Sequence, residues 1–366
     1  MQHASEREPA GHSRPLHWPQ MNVTPSYLVV DAGTSRTRVR LWHAGSVVDE
    51  LEARVGAKDV ALAGSSQPIA EGLRALITMM RERHDHDAMA VVCSGMITSN
   101  VGLVEVPHAT APIALGELAR RLVRHDVASV TDLPMYFVPG IKTVATGEGW
   151  ETLANFDVMR GEEVEVVGLL QTLDLEPPLA FFHCGSHHKL IEVGAADTAS
   201  ANGDANGVDG AVVLRSSTAI TGELLAAIRE RTILASSLTD LDGIELDPEA
   251  VAAGARHARA AGFARAAFLV RVGETIAGKD RMGVTSFLLG ALADLDLQLI
   301  EHELAADREV VVYGGGLFPA IVRDMLTRAG DRRVRLVDPR VSDAAATIGT
   351  VRSLETFLGS RAGAPA

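Results

Sequence analysis

The sequence predicts an α/β protein built as two similar domains. Its 366 residues exceed the length that one hydrophobic core usually serves. Each half opens with a set of antiparallel strands and continues into alternating helices and strands. This repeated layout places an N-terminal domain at residues 24–158 and a C-terminal domain at residues 159–358.

The first half begins with three successive strands, in SYLVVDAGTSRTRVRLWHAGSVVDELEARV. The first strand is an apolar run that ends at Asp31. The second alternates charged and uncharged side chains, which predicts one wet face; its arginines are Arg36, Arg38 and Arg40. A helix over 67–83, a strand AMAVVCSG, a helix near 112–124 and a strand MYFVPG follow.

The second half repeats this order after a helix that opens beyond Arg160. The strands LAFFHC, HKLIEV and AVVLRSS come first, and residues 194–210 between the last two predict a flexible surface loop. The remaining predicted elements are helices near 218–231, 248–272 and 283–305, a strand EVVVYGGG, a helix, a strand RVRLV and a final helix near 342–358.

Composition excludes several classes of protein. A formal net charge of -13 without a Lys/Arg run argues against a nucleic-acid-binding surface. An anion must therefore be bound locally, by backbone N–H groups, a few cations or a divalent metal. The two cysteines, Cys93 and Cys184, predict no disulfide framework and a reducing, cytoplasmic location. We find no apolar run with the length of a membrane span.

The two ends of the chain are expected to lie outside the folded domains. Residues 1–23 contain no apolar segment typical of a secretory signal, so they predict a disordered extension. Translation could start at Met1 or at Met21. Residues 359–366 predict a frayed tail.

Two glycine turns occupy matching positions in the two halves. VVDAGTSRTRVRLW contains Gly33 and Thr34, and FFHCGSHHKLIEV contains Gly185 and Ser186. Glycine allows a ligand to approach the backbone, a hydroxyl adds a donor, and successive N–H groups form an anion site. Such turns also join ordinary hairpins, so either turn alone is weak evidence. Their matched positions indicate a polyphosphate held from both sides of a cleft.

The histidines and cysteine around the second turn do not form a convincing metal or nucleophile site. His187 and His188 are adjacent on a strand, so they point to opposite faces and do not share one ion. A thiol that ends an apolar strand, as Cys184 does, is usually inert. A third element, VVVYGGGLFPAIVRDML, places Gly314, Gly315 and Gly316 before a helix, where backbone can pass a phosphate or a flat ring. A tight turn between strand and helix is the alternative.

These features together resemble the ASKHA superfamily of sugar kinases, actin and Hsp70. The resemblance implies a duplicated ribonuclease H-like, actin/hexokinase-type ATPase fold. The blocks CSGMITSNVG, VPGIKT, VMRGEEVEVVG, CGSHHKLIEV and TAITGELLAAI, in that order, resemble the 2-dehydro-3-deoxygalactonokinase family over roughly residues 26–352. MRGEE and TGEL are the more specific parts.

The family resemblance implies transfer of the ATP γ-phosphoryl group to the 6-hydroxyl of a 2-keto-3-deoxy sugar acid, with ATP and Mg²⁺ as cofactors. Asp31 would then hold Mg²⁺ through water, and Glu162 would be the catalytic base. The implied phosphate-binding residues are Gly33, Thr34, Gly185, Ser186, His187, Lys189, Gly314, Gly315 and Gly316. The implied sugar-side residues are Ser99, Asn100 and Arg160, with Arg160 binding the carboxylate.

Simpler roles remain open for these residues. Glu162 also favours a helix N-terminus, Ser99 and Asn100 also cap turns, and Arg160 also suits a surface. Leu103 and His108 replace aromatic residues that the family often carries. The alternatives to the sugar-acid kinase are a kinase for another sugar or sugar acid, a non-catalytic sugar sensor of the same fold, and a phosphoanhydride hydrolase. The sequence does not decide between a monomer and a homodimer.

Overall fold

The computed structural model describes residues 24–85, 87–195, 207–330 and 332–362. The predicted N-terminal extension and most of the predicted loop at 194–210 lie outside these ranges.

The first half contains the predicted strands and the predicted helix over 67–83, together with an additional helix, α1, and additional short strands. In chain order its helices and strands are β1 (Ser26–Ala32), β2 (Thr37–His43), β3 (Ser46–Ala53), α1 (Ala57–Ala63), α2 (Gln67–Arg83), β4 (Ala88–Gly95), β5 (Ala109–Thr110), β6 (Ile113–Ala114), α3 (Leu115–Arg120), β7 (Val123–Arg124), β8 (Met135–Phe137), β9 (Ile141–Thr143) and β10 (Asp157–Met159).

The second half begins with a helix and ends with the longest helix of the described chain. Its elements are α4 (Glu162–Leu173), β11 (Leu179–Cys184), β12 (His188–Ala195), β13 (Ala211–Ala219), α5 (Thr221–Arg231), α6 (Pro248–Ala261), α7 (Phe263–Thr275), α8 (Arg281–Glu303), β14 (Val310–Gly314), α9 (Phe318–Ala329), β15 (Val334–Leu336) and α10 (Pro339–Ala362).

Two six-stranded sheets share the order and direction of five strands, which confirms the duplicated ribonuclease H-like fold. Their strand orders are β3-β2-β1-β4-β8-β7 and β15-β14-β11-β12-β13-β6. The sixth strands differ, since β7 lies beside β8 in the first sheet and β6 lies beside β13 in the second. In each sheet three consecutive strands pair antiparallel, and the next two strands run parallel beside the first of them. A smaller sheet has the strand order β10-β9-β5.

Some predicted boundaries are wrong, for local reasons. The helix expected near 112–124 is only α3, because β6 before it is extended and pairs with β13 of the second sheet. The helix expected at 248–272 is divided into α6 and α7 at Gly262, whose φ of +82° ends the first helix. The final helix continues to Ala362, so part of the predicted tail is helical.

The helices α4 and α10 pack together between the two large sheets. Val164 of α4 packs with Val351, Leu354 and Phe357 of α10 against strands of the first sheet. Other side chains of the same helices, Leu170 among them, pack against the second sheet. Because both α10 and β6 contact elements of the other half, the division at residue 158 stays a prediction.

Glycines allow α4 and α10 to touch through their backbones. A Cβ on Gly349 would lie 1.8 Å from the carbonyl oxygen of Val164, and one on Gly168 would lie 2.0 Å from that of Ala345. Heavy atoms do not approach this closely, so neither position accepts a side chain without separating the helices.

The prediction of a wet face on β2 is wrong at Arg40, which is 3% exposed. Its guanidinium donates to the hydroxyl of Thr347 at 2.8 Å and to the carboxylate of Asp343 at 2.8 Å. Arg38 donates to the same carboxylate at 3.1 Å. The start of α10 therefore covers this face of the strand, a contact between residues three hundred positions apart that a local pattern does not reveal.

Among the described residues, one helix has the length and hydropathy of a membrane span. This helix is α8, but 72% of its apolar window is buried inside the protein. It also contains Asp294 and Asp296, which are both buried. This burial is typical of a core helix in a globular domain.

The helix contact predicts opposite effects for two glycine-to-alanine substitutions in α10. Gly349→Ala should lower the free energy of unfolding by about 1–3 kcal/mol or more, because the added methyl group forces the helices apart. Gly359→Ala is the matched control, since a Cβ there has no neighbour within 4 Å. It should leave stability unchanged or raise it through helix propensity. Thermal unfolding of both variants checks this, and equal effects would contradict it.

Candidate active site

Asp31 and Glu162 are brought together by two glycines that permit close backbone contact. Glu162 begins α4 directly after Gly161, where a Cβ would lie 3.5 Å from the Cα of Gly95. A Cβ on Gly95, at the end of β4, would lie 3.2 Å from the carboxylate of Asp31. Gly95 and Gly161 have φ angles of +80° and +112°, which favour glycine. Residues predicted separately as metal ligand and base therefore lie in one place.

The environment of Asp31 suits a cation. Burial raises the pKa of this carboxyl, and the negative charges of Asp343 and Glu162 raise it further, while Arg38 and Arg40 lower it. A bound cation would remove this repulsion. No cluster of three or more His, Cys, Asp or Glu side chains suited to a metal occurs among the described residues. Mg²⁺ fits this donor set, since it commonly takes one or two carboxylates, waters and substrate phosphates.

Lys189 lies beside Glu162. Its side chain is 5% exposed, and its ammonium donates to the carbonyl of Val158 at 2.7 Å and the hydroxyl of Thr218 at 2.9 Å. The same nitrogen lies 3.6 Å from Glu162 Oε1. The backbone N–H of Arg160 donates to Glu162 Oε2 at 3.1 Å. The carboxylate is thus held in one orientation, with a positive charge next to it.

Two further carboxyl groups of α4 were missed in the sequence. Both oxygens of Glu163, which has no exposed surface, accept the N–H of Gly161 at 2.8–2.9 Å. Burial, and then the charge of Glu162, raise the pKa of Glu163 to about 8. Glu165 accepts the hydroxyl of Tyr313 at 3.0 Å, and burial raises its pKa well above the ordinary value. The sequence did contain a sign of these buried carboxyl groups. In GEEVEVVGLL the acidic residues alternate with apolar ones, so the helix has no continuous polar face on which they could all be exposed.

The first glycine turn is an exposed hairpin turn held by α1. Gly33 donates its N–H to the carbonyl of Arg36 at 2.8 Å, and Lys58 donates its N–H to the carbonyl of Thr34 at 2.9 Å. Because the Gly33 N–H is engaged within the turn, any donors for a phosphate come from the residues that follow it. Thr34 is exposed and offers a hydroxyl.

The second glycine turn is fixed to α5 and α8. The carbonyl of Ser186 accepts the N–H of Glu223 at 2.9 Å. A Cβ on Gly222 would lie 2.1 Å from the carbonyl of Gly185, so α5 begins directly against the turn. Asp296 of α8 bonds both to His188 Nδ1 at 2.7 Å and to the hydroxyl of Thr221 at 2.6 Å.

His187 and His188 point to opposite sides, as the strand geometry predicts. The ring of His188 is fully buried with Asp296, whereas His187 is exposed and lies 3.6 Å from the carboxylate of Glu223. The buried bonds of His188 and Thr221 therefore hold the second turn, while His187 is left on its open side.

The three consecutive glycines serve two purposes. Gly314 has a φ of +121°, and a Cβ there would lie 2.2 Å from the carbonyl of Cys184. Gly315 donates its N–H to that same carbonyl at 3.2 Å. Gly314 thus packs against the second turn, whereas a Cβ on Gly315 or Gly316 would meet nothing within 4 Å. The open side of these two residues is free for a ligand.

Comparisons with known proteins identify the family of this chain. The model of the family 2-keto-3-deoxy-galactonokinase matches residues 31–351. The chain belongs to this family. It is 24% identical over 318 residues to the 2-dehydro-3-deoxygalactonokinase of Escherichia coli (strain K12), covering 84% of this chain and 94% of that protein. A solved structure from Sinorhizobium meliloti, described as a candidate 2-dehydro-3-deoxygalactonokinase, has a TM-score of 0.67 at 23% identity and covers 90% of this chain and 99% of that one.

The residues that the sequence predicts for the sugar side of the site differ in their burial and bonding. Ser99 is buried, and its hydroxyl donates to the carbonyl of Met96 at 2.7 Å, which is the turn-capping alternative. Asn100 is exposed. Arg160 donates to the hydroxyl of Thr98 at 2.6 Å and the carbonyl of Val106 at 2.7 Å. These bonds fix Arg160 against the segment that leads from β4 to β5.

The raised pKa of Glu163 predicts how the stability of this kinase depends on pH. The folded state favours the protonated carboxyl, whose pKa is about 8 there and about 4.5 in the unfolded chain. The free energy of unfolding should therefore fall as the pH rises between these two values. Glu163→Gln stays neutral and keeps an oxygen for the Gly161 N–H. Its stability relative to wild type should therefore increase with pH.

Thermal unfolding between those two pH values measures this difference. Glu82→Gln, an exposed substitution on α2, is the control and should show no trend. A difference between Glu163→Gln and wild type that does not change with pH would contradict the assignment.

Proposed function

We propose that the protein transfers the γ-phosphoryl group of ATP to the 6-hydroxyl of a 2-keto-3-deoxy sugar acid, 2-dehydro-3-deoxy-D-galactonate. The observation that carries this proposal is the position of Glu162. It begins α4, adjoins Asp31 through Gly95, and has the buried cation Lys189 beside it. Membership of the 2-keto-3-deoxy-galactonokinase family supports the substrate class.

In this mechanism Glu162 accepts the proton of the attacking hydroxyl. The helix N-terminus and the ammonium of Lys189 place positive charge beside this side chain, and a carboxylate can accept a proton. The backbone N–H of Arg160 orients one carboxylate oxygen of Glu162, and the other oxygen lies beside Lys189. Positioning and charge stabilisation, rather than covalent chemistry, are what phosphoryl transfer requires of a protein.

Asp31 is the residue proposed to hold Mg²⁺, through water. When bound, the ion would neutralise charge on the transferring phosphate. The remaining phosphate contacts are assigned to the three glycine-containing segments, and their residues are Thr34, Gly185, Ser186, His187, Gly315 and Gly316. Gly33 keeps a supporting role, because its N–H is bonded to the carbonyl of Arg36 within the turn. Gly314 and Lys189 keep supporting roles in this scheme, because the first packs against Cys184 and the second is bonded to Val158 and Thr218.

The partners proposed are therefore two small molecules, the sugar acid and ATP, and the location proposed is the cytoplasm. A kinase for another sugar acid is the second candidate. His108, which stands where the family often carries an aromatic residue, adjoins Arg160 at 3.3 Å and so changes the sugar side of the site rather than the phosphate side.

A coupled assay of ADP release tests the proposal directly. With ATP and Mg²⁺, release should depend on 2-dehydro-3-deoxy-D-galactonate and should be low with neutral hexoses. Release without any acceptor would indicate a phosphoanhydride hydrolase. Equal rates with neutral hexoses would leave a sugar kinase with another substrate.

Asp31→Asn should lower turnover by about two orders of magnitude or more, because it weakens the metal and phosphate positions without changing side-chain size. The measurement is kcat in the same assay, with thermal unfolding to show that the variant is folded. Asp307→Asn, an exposed substitution, is the control and should keep full activity. Near-normal turnover in folded Asp31→Asn would rule out the proposed role of Asp31.

A further inference from the structure

The small sheet β5-β9-β10 has one buried face and one open face. Ala109, Ile141 and Met159 occupy register positions opposite one another and belong to the core beside the second large sheet. Lys142 pairs with Thr110 on one side and with Val158 on the other. Paired residues share a face of a sheet, so these three lie on the face away from the core. Thr110 is exposed and Val158 is 56% exposed, so this face is accessible.

Arg160 and His108 cover the same face next to Lys142. A Cβ on Gly140 would lie 2.6 Å from Cγ of Arg160 and 3.0 Å from Cδ2 of His108, so both side chains occupy the space above Gly140. Gly140 directly precedes β9, and its carbonyl accepts the N–H of Ala109 at 2.9 Å, so the pairing with β5 extends to this residue. Gly140 and Lys142 are two residues apart in this extended segment and therefore point to the same side, roughly 6.5 Å from each other. The side chains of Arg160, His108 and Lys142 therefore lie next to one another on this face, and Arg160 is the one beside Glu162 in the chain.

Arg160 is poorly placed to take the carboxylate that the sequence assigned to it. Its terminal nitrogens already donate to Thr98 and Val106, and one of them lies 3.3 Å from Nδ1 of His108. A guanidinium only donates, so Nδ1 accepts and the proton of this imidazole is on Nε2. Burial, then Arg160 and Lys142, lower the pKa of His108 to about 4, which keeps the ring neutral.

Lys142, in contrast, has no charge partner in the part of the chain that the structure describes. No carboxylate lies within 4 Å of its ammonium there, whereas the buried Lys189 has three oxygen neighbours. The side chain is only half-buried, so its ammonium remains accessible from the open face. A strongly hydrated ammonium group of this kind binds a carboxylate as a point charge.

We propose that Lys142 binds the carboxylate of the sugar acid and that His108 donates Nε2–H to an oxygen of the same substrate. This inference rests on the proposed function. In a six-carbon acid the carboxylate and the 6-hydroxyl are at opposite ends of the molecule. The reacting hydroxyl belongs at Glu162, so the carboxylate needs a cation further along the face than Arg160. Lys142 occupies that position, and Arg160 holds His108 and the segment at Thr98.

Lys142→Met removes the charge and keeps the length of the side chain. The KM for the sugar acid should rise by about 10- to 100-fold, as for the loss of a charge-assisted hydrogen bond, while the KM for ATP changes little. Lys142→Arg keeps a cation and should retain most of the affinity. Lys279→Met, exposed at the end of the loop before α8, is the matched control and should behave as wild type.

An acceptor with the carboxylate converted to a carboxamide separates a charge effect from a structural one. Wild type should bind the amide weakly, and Lys142→Met should bind acid and amide about equally. Calorimetric binding of both compounds is measured beside turnover. If wild type uses the acid and Lys142→Met keeps its KM, this inference is wrong and the proposed function stands. If wild type neither binds nor phosphorylates the acid, both are wrong.

Discussion

The backbone contact between α4 and α10 determines where Glu162 lies. Gly168 and Gly349 let the helices meet at a distance that no side chain would permit, and the sheets pack on either side of this pair. The first turn of α4 is consequently fixed relative to β1 and β4 of one sheet and to β12 of the other. Asp31 reaches it from the first sheet and Lys189 from the second. The relative positions of these residues from the two halves therefore depend on the packing of α4 against α10.

Charge is the second constraint on this site. Burial raises the pKa of Asp31, Glu163 and Glu165, and the negative charge of Glu162 raises each of them further. Lys189 is the nearest cation to Glu162, and Arg38 and Arg40 offset the charge of Asp31. Burying like charges together is unfavourable unless cations or protons compensate for them. The cluster therefore favours a bound cation at Asp31 and a proton on Glu163, and it leaves Glu162 as the carboxylate with a paired ammonium.

The sequence predicted the fold well because both halves carry strong local patterns. The apolar spacing in residues 67–83 and the strand 88–95 correspond to α2 and β4 with the predicted bounds. Contacts between residues that are distant in sequence were harder to predict. Arg40 appeared to face water because nothing near it in sequence indicates that α10 covers β2. The sequence also does not reveal that Lys189 donates to Val158 and Thr218, because these partners lie on two other strands.

The same limit applies within the site. Short motifs predicted the glycine turns and Glu162, whereas the burial of Glu163 and the bond between Tyr313 and Glu165 depend on the packing of α4 between the sheets. The carboxylate-binding cation was assigned to Arg160 for its proximity to Glu162 in sequence. The sheet register, which pairs Lys142 with Val158 and Thr110, places Lys142 on the same face, and this position cannot be read from the distance along the chain. Long-range pairing decided each of these positions.

The role of Glu162 as the group that accepts the proton is the central claim, and Glu162→Gln tests it most directly. The substitution keeps size and the bond from the Arg160 N–H but removes proton acceptance. Turnover with ATP and 2-dehydro-3-deoxy-D-galactonate is measured together with calorimetric ATP affinity. The account predicts a loss of turnover by about 10²–10⁴-fold with little change in ATP affinity. A collapse of ATP affinity, or turnover near that of wild type, would contradict it.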